Sequence, residues 1–217
     1  MNTLEKQKDL TLIKLLFVKK SREMSDNIAA YIDTKGDDMQ WQIMHDIEWC
    51  GNPKSFYEKE IPFRIENQIR KDMQLIPEAI VQQYAKNMNW LLGYLKGVGC
   101  KEFNVPLSDY SILTTDYCQE RLNLIDIPKT QLYSRLGTLF VALCFSGFGI
   151  GAFVGSMLCG TAAEELLLSS SHKSKERIKQ IVPTIIANYK LQMKAHILGV
   201  LAKVDSNIMN ELNKIKL

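Results

Sequence analysis

The chain has 217 residues, 46% of them hydrophobic and 24% charged, a balance that supports a packed core and excludes intrinsic disorder and fibrous repeats. Lys and Arg number 27 against 24 Asp and Glu, and the net charge of +3 is spread along the chain rather than gathered into a basic stripe, which disfavours nucleic acid as a partner. Cys50, Cys100, Cys118, Cys144 and Cys159 show no C-x-x-C spacing, so neither a zinc site nor a disulfide framework is read from them and reduced thiols are expected. The opening MNTLEKQKDL mixes acids and bases ahead of any apolar stretch, which leads us to expect residence on the cytoplasmic side.

Twelve Gly and six Pro against many Leu, Ile, Met, Lys and Gln tilt the propensities towards helix. Leu10, Ile13, Phe17, Met24, Ile28 and Tyr31 recur every three or four residues, which predicts one helix face. Lys35-Gly36-Asp37-Asp38 reads as its end, with Asp37 or Asp38 capping a second, short helix through Trp41, Ile43, Met44, Ile47 and Trp49. Gly51-Asn52-Pro53 stops that one, so a helical hairpin is expected here. Ile65, Ile69, Met73, Ile76, Ile80, Tyr84, Met88, Leu91 and Leu95 predict a long third helix that Pro77 bends or splits and that Gly93, Gly97 and Gly99 weaken at its end.

Residues 100–126 have no sustained period, and Pro106, Ser108-Asp109 and Thr114-Thr115-Asp116 carry loop and cap signals around one short helix. From about 173 to 217 the amphipathic pattern returns with Ile178, Val182, Ile185, Tyr189, Ile197, Leu201, Val204, Ile208, Leu212 and Ile215. That is a rod of roughly 60 Å, kinked or interrupted near Pro183. It needs apolar partners along its length, which the first and third helices or a second copy of the chain can supply.

Residues 136–163, LGTLFVALCFSGFGIGAFVGSMLCGTAA, contain no charge. As one helix they would reach about 40 Å, more than the roughly 30 Å of a bilayer's hydrocarbon. Gly147, Gly151, Gly155, Cys159 and Ala163 recur every four residues, a groove of small side chains for close helix packing, while Phe140, Phe145, Phe148 and Phe153 supply bulk for lipid tails or for the inside of a bundle. Gly147, Gly149 and Gly151 weaken a straight helix by about 1 kcal/mol each relative to Ala. Arg121, Lys129 and Arg135 precede the segment and Lys173, Lys175, Arg177 and Lys179 follow it, so a hairpin with both flanks in the cytoplasm fits the charge bias better than a single span. A buried central helix of a soluble protein is the competing reading.

A Gly-rich apolar hairpin such as GFGIGAFVGSMLCG, set between long amphipathic helices, resembles the membrane-contacting tip of bacterial dynamin-like proteins, over about residues 128–217. The GTPase domain of that family has no counterpart: the nearest approach to a P-loop, GYLKGVGCK from Gly93 to Lys101, does not satisfy G-x-x-x-x-G-K-[ST]. The resemblance therefore implies a stalk-like or accessory subunit without nucleotide hydrolysis, acting beside a separate GTPase subunit.

Other candidate chemistry is discounted. Gly147, Gly149 and Ala152 match G-x-G-x-x-A, but helix and a Ser-rich stretch follow instead of a second strand with its acid. His45 and Glu48 lie three apart on a helix, and two ligands do not make a metal site. His172 and His196 have no nucleophile pattern near them, and Ser169-Ser170-Ser171 reads as a hinge that caps the following helix.

The expectation is an all-α protein, an elongated helical bundle with long amphipathic helices and one apolar Gly-rich helix or hairpin. Its parts are an N-terminal helical region (1–99), an irregular linker (100–127), the apolar glycine-zipper segment (128–168) and a C-terminal amphipathic helix packing back on the N-terminal helices (169–217). The function expected is non-enzymatic: membrane association on the cytoplasmic side, with lipid and either self-association or a helical partner, and with no cofactor, metal or small-molecule substrate. A soluble helical interaction module with residues 136–163 as buried core is the alternative, and a pore-forming effector is third.

Overall fold

The computed structural model describes residues 3–105, 122–125, 127–145, 154 and 171–215. Among the described residues the fold is all-α, apart from one pairing of two-residue strands.

Helix α1 (Thr3–Trp49) runs unbroken for 47 residues, through the positions read as its end. It contains no proline and only Gly36 among glycines, and one stripe of it is buried: Leu10, Ile13, Phe17, Met24, Ile28, Ile32, Met39, Ile43 and Ile47. The expected break at 35–38 is absent for a tertiary reason. Gly36 is a point of close approach, where an added Cβ would run into the aliphatic chain of Lys190. Asp37 and Asp38, read as caps, instead pair with Lys190 (2.5 Å) and Lys35 (3.7 Å).

The reversal comes at 50–52. Asn52 caps the short helix α2 (Pro53–Ser55), its side-chain oxygen accepting from the Ser55 N–H at 3.1 Å, with Pro53 at the first helical position where its missing donor costs nothing. A π-helical turn (Phe56–Glu60) leads into α3 (Ile61–Gly97), which keeps Pro77 inside it unsplit. It ends as glycine chemistry dictates. Gly99 takes φ +85°, its N–H bonds the Lys96 carbonyl, and the Cys100 N–H reaches back to Leu95, both at 2.9 Å; together these form a Schellman cap.

Strand β1 (Asn104–Val105) pairs antiparallel with β2 (Leu122–Asn123), Asn104 opposite Asn123 and Val105 opposite Leu122, a pairing that the loop signals did not announce. Then come α4 (Lys129–Phe145) and α5 (Ser171–Lys214). Pro183 lies inside α5 without interrupting it.

The contacts divide the chain into two compact units, Met1–Asn27 with Leu75–Ser146 and Ile197–Leu217, and Ile28–Gln74 with Gly147–His196. The first has its core in Phe17 of α1, Ile80, Tyr84 and Leu91 of α3, Leu201 and Leu212 of α5, and Leu132, Leu136 and Phe140 of α4. The second is built on isoleucine: Ile32, Ile43 and Ile47 against Ile61, Ile65 and Ile69, with Ile178, Ile185 and Tyr189 from α5. Each such side chain contributes about 1.5–3 kcal/mol by leaving water. α1, α3 and α5 each contribute to both units.

Candidate functional site

Of the residues singled out in the apolar segment, Phe140 is the one whose side chain is described. It is fully buried and meets Tyr84 edge to face, ring centroids 5.0 Å apart. Leu132, Leu136 and Phe140, four residues apart on α4, form its inward stripe. Phe145 closes α4, and its side chain lies outside the described residues, as do Gly147, Phe148, Gly151, Phe153, Gly155, Cys159 and Ala163. Val154 is helical and buried. Among the described residues, no helix is long and apolar enough to cross a membrane.

The segment nearest to a P-loop, 93–101, is the last turn of α3 and its cap. A helix C-terminus presents carbonyl oxygens, the wrong polarity for cradling phosphate. The His45 cluster resolves into surface pairs: His45 Nδ1 lies 3.0 Å from Asp46, Asp46 takes the Arg64 guanidinium at 2.7 Å, and Glu48 pairs with Lys179. The hydrogen bond from His45, then that from Arg64, holds the Asp46 carboxyl below its usual range. Among the described residues no three His, Cys, Asp or Glu side chains converge as a metal site would require. Burial pushes the Cys100 thiol up, so its nucleophilic thiolate is disfavoured.

The most ordered polar chemistry was not singled out by the sequence reading. In the second unit Asp72 of α3 is completely buried and accepts hydrogen bonds from Gln68 (2.8 Å), Tyr31 of α1 (3.3 Å) and Tyr189 of α5. In the first unit Asp205 of α5 accepts from Tyr84 of α3 (2.8 Å) and Ser21 of α1. Burial pushes both carboxyls above the ordinary range, against the hydrogen bonds that favour the charged form. Burial and then the Asp72 charge raise the phenols of Tyr31 and Tyr189 in turn. A signal was present: Asp72 follows Ile69 by three residues and Asp205 follows Leu201 by four, so each acid falls inside an apolar stripe whose Tyr84 and Tyr189 had already been read as core.

Two surface features complete the inventory. A groove of roughly 460 Å³ in the first unit is lined by Leu12, Ile13 and Leu16 of α1 and Trp90, Tyr94 and Val98 of α3, with open space above Gly93 and Gly97. On α1, Trp41 and Trp49 are 68% and 81% exposed, Trp41 stacking on His45 at 5.5 Å. These exposures are large for tryptophan, a residue that normally buries most of its surface.

No known protein family, curated protein or solved structure matches the chain.

Proposed function

We propose that this protein is a non-enzymatic helical scaffold that associates with a membrane on the cytoplasmic side, its long helices serving as a stalk-like bundle and its glycine-spaced apolar segment as the lipid-contacting tip. The observation that carries the reading is the uncharged stretch 136–163, which begins within α4 and precedes α5 in the sequence. Charged side chains cost about 2.5–3.5 kcal/mol each at the centre of a bilayer, so their absence over this length is what a lipid-facing segment requires. Lys173, Lys175, Arg177 and Lys179 follow it; Lys179 is held by Glu48 and Glu176 and Lys175 by the Glu48 carbonyl, so the attraction to anionic headgroups, about 1 kcal/mol for a basic side chain that meets them, rests on Lys173. The polar clusters at Asp72 and Asp205 support a scaffold rather than an enzyme, since their donors and acceptors are used on one another inside the helix packing. The resemblance to dynamin-like stalks extends the proposal to an accessory subunit working beside a separate GTPase.

A second reading has its own support. Phe140 packs under Tyr84, and Val154 is buried, as expected if residues 136–163 form the core of a soluble helical interaction module. Fractionation of expressing cells, followed by alkaline carbonate and detergent extraction, separates the two. The membrane reading requires recovery with membranes and release by detergent alone; a monodisperse protein in the soluble fraction without detergent establishes the module instead.

A further inference from the structure

Each unit joins its parts of α1, α3 and α5 at one carboxylate, fully buried at Asp72 and part-buried at Asp205. Asp72 is faced by Tyr31 and Lys35 from α1, by Tyr189 from α5 and by Gln68 from its own helix. Lys35 pairs with Asp38 at 3.7 Å and lies over the Tyr31 ring at 5.8 Å, and its charge acts on Asp72 from there. Asp205 is faced by Ser21 from α1 and Tyr84 from α3. Among the described residues, neither carboxylate has an ion-pair partner; apart from the Gln68 amide, what holds them is hydroxyl groups.

That choice of partner decides what a proton does. An ammonium or guanidinium can only donate, so protonating its carboxylate breaks the pair. A hydroxyl donates and accepts. A protonated Asp72 can donate to the oxygen of one tyrosine while still accepting from the other, and a protonated Asp205 can do the same between Tyr84 and Ser21. Protonation therefore removes the charge, buried at Asp72 and part-buried at Asp205, and keeps a hydrogen bond to each partner, the hydroxyl that now accepts turning its own hydrogen to another acceptor.

We propose that Asp72 and Asp205 are a pair of proton-taking braces, which stabilise the packing of α1, α3 and α5 within each unit as the pH falls towards the ordinary carboxylate range. The direction follows from linkage. With a folded-state carboxyl raised by burial, the folded chain takes up a proton at a pH where the unfolded chain does not. Stability then grows as pH falls through the folded value and is fully gained at the ordinary carboxylate value. The exposed Asp46–Arg64 pair, whose carboxyl is held low, works in the opposite direction and at lower pH. The device operates whether the apolar segment meets lipid or protein.

The test is urea unfolding of the full chain in mild detergent between pH 7.5 and 4.5, followed by circular dichroism, with Asp72→Asn, Asp205→Asn and Tyr189→Phe alongside. The unfolding constant of the unsubstituted protein should fall with pH, by up to about tenfold per pH unit for each carboxylate titrating, and each Asn variant should lose its share of that slope. Tyr189→Phe removes a donor that favours the charged form, so it should move the Asp72 window to higher pH, which a merely structural role would not do. Carboxyl carbon chemical shifts in the unsubstituted protein should show two aspartates titrating above the ordinary range, a readout independent of any variant's folding. Parallel pH profiles for all four proteins, or aspartates that all titrate at ordinary values, overturn the proposal.

Discussion

Tyr84 makes two separable contributions to the first unit, and a pair of substitutions measures each. Its ring, 1% exposed, packs against Phe140, while its hydroxyl donates to Asp205 at 2.8 Å. Tyr84→Phe keeps the ring and leaves the part-buried Asp205 carboxylate with Ser21 alone. A hydrogen bond to a charged group is worth about 1.5–3 kcal/mol, the size of loss expected at pH 7.5. For a chain of this size that corresponds to a fall in Tm of about 3–12 °C. Tyr84→Ala also removes the ring and opens a cavity beneath Phe140, for a further loss of about 3–5 kcal/mol. Thermal and urea unfolding followed by circular dichroism give both values. The phenylalanine variant should recover part of its loss at pH 5, where the carboxyl it abandons carries less charge. A Tyr84→Phe variant within about 0.5 kcal/mol of the original at pH 7.5, against the range expected for such a bond, refutes the assignment of Asp205 as a carboxylate held by that hydroxyl.

Three further outcomes are expected. Gly36→Ala should change stability by less than about 1 kcal/mol, because the gain in helix propensity offsets the displacement of the flexible Lys190 chain, whereas Gly36→Leu should cost about 1–3 kcal/mol by overpacking; urea midpoints distinguish them. Gly151→Leu should lower self-association in crosslinking or native gels more than Phe153→Leu does, since the first fills the small-residue groove and the second keeps apolar bulk; equal tolerance would make the four-residue spacing accidental. Calorimetry on the purified protein should detect no saturable binding of GTP or ATP, and affinity capture from its native cells should recover a P-loop GTPase in the membrane fraction; soluble partners alone would remove the accessory-subunit proposal.

The buried faces of α1, α3 and α5 were legible because burying one stripe of a helix imposes a three-or-four spacing on its apolar residues. The continuity of α1 was not. Lys35-Gly36-Asp37-Asp38 has the local chemistry of one helix ending and another starting, and what overrides it is remote in sequence: Lys190 lies over Gly36 and pairs with Asp37. Pro77 and Pro183 likewise remain inside helices, because packing along a long apolar stripe outweighs the loss of one backbone hydrogen bond each. The polar clusters escaped a reading that sorted residues into apolar core and solvated face, since Asp72 is neither. For the glycine-spaced segment, spacing and the absence of charge remain the argument, with Phe140 and Val154 the places where the structure adds side chains to it.

The central claim is that the uncharged stretch 136–163 brings the protein to lipid, and vesicle flotation with its part beyond α4 replaced tests it most directly. The purified full chain is compared with a version in which 146–163 is replaced by a Gly-Ser linker of equal length, on vesicles of neutral lipid with and without anionic lipid. The account predicts that the full chain floats with both kinds of vesicle, more completely with anionic lipid, and that the replaced version stays at the bottom while its helix content outside the segment is retained. A full chain that stays at the bottom with both, or a replaced version that floats equally well, contradicts it.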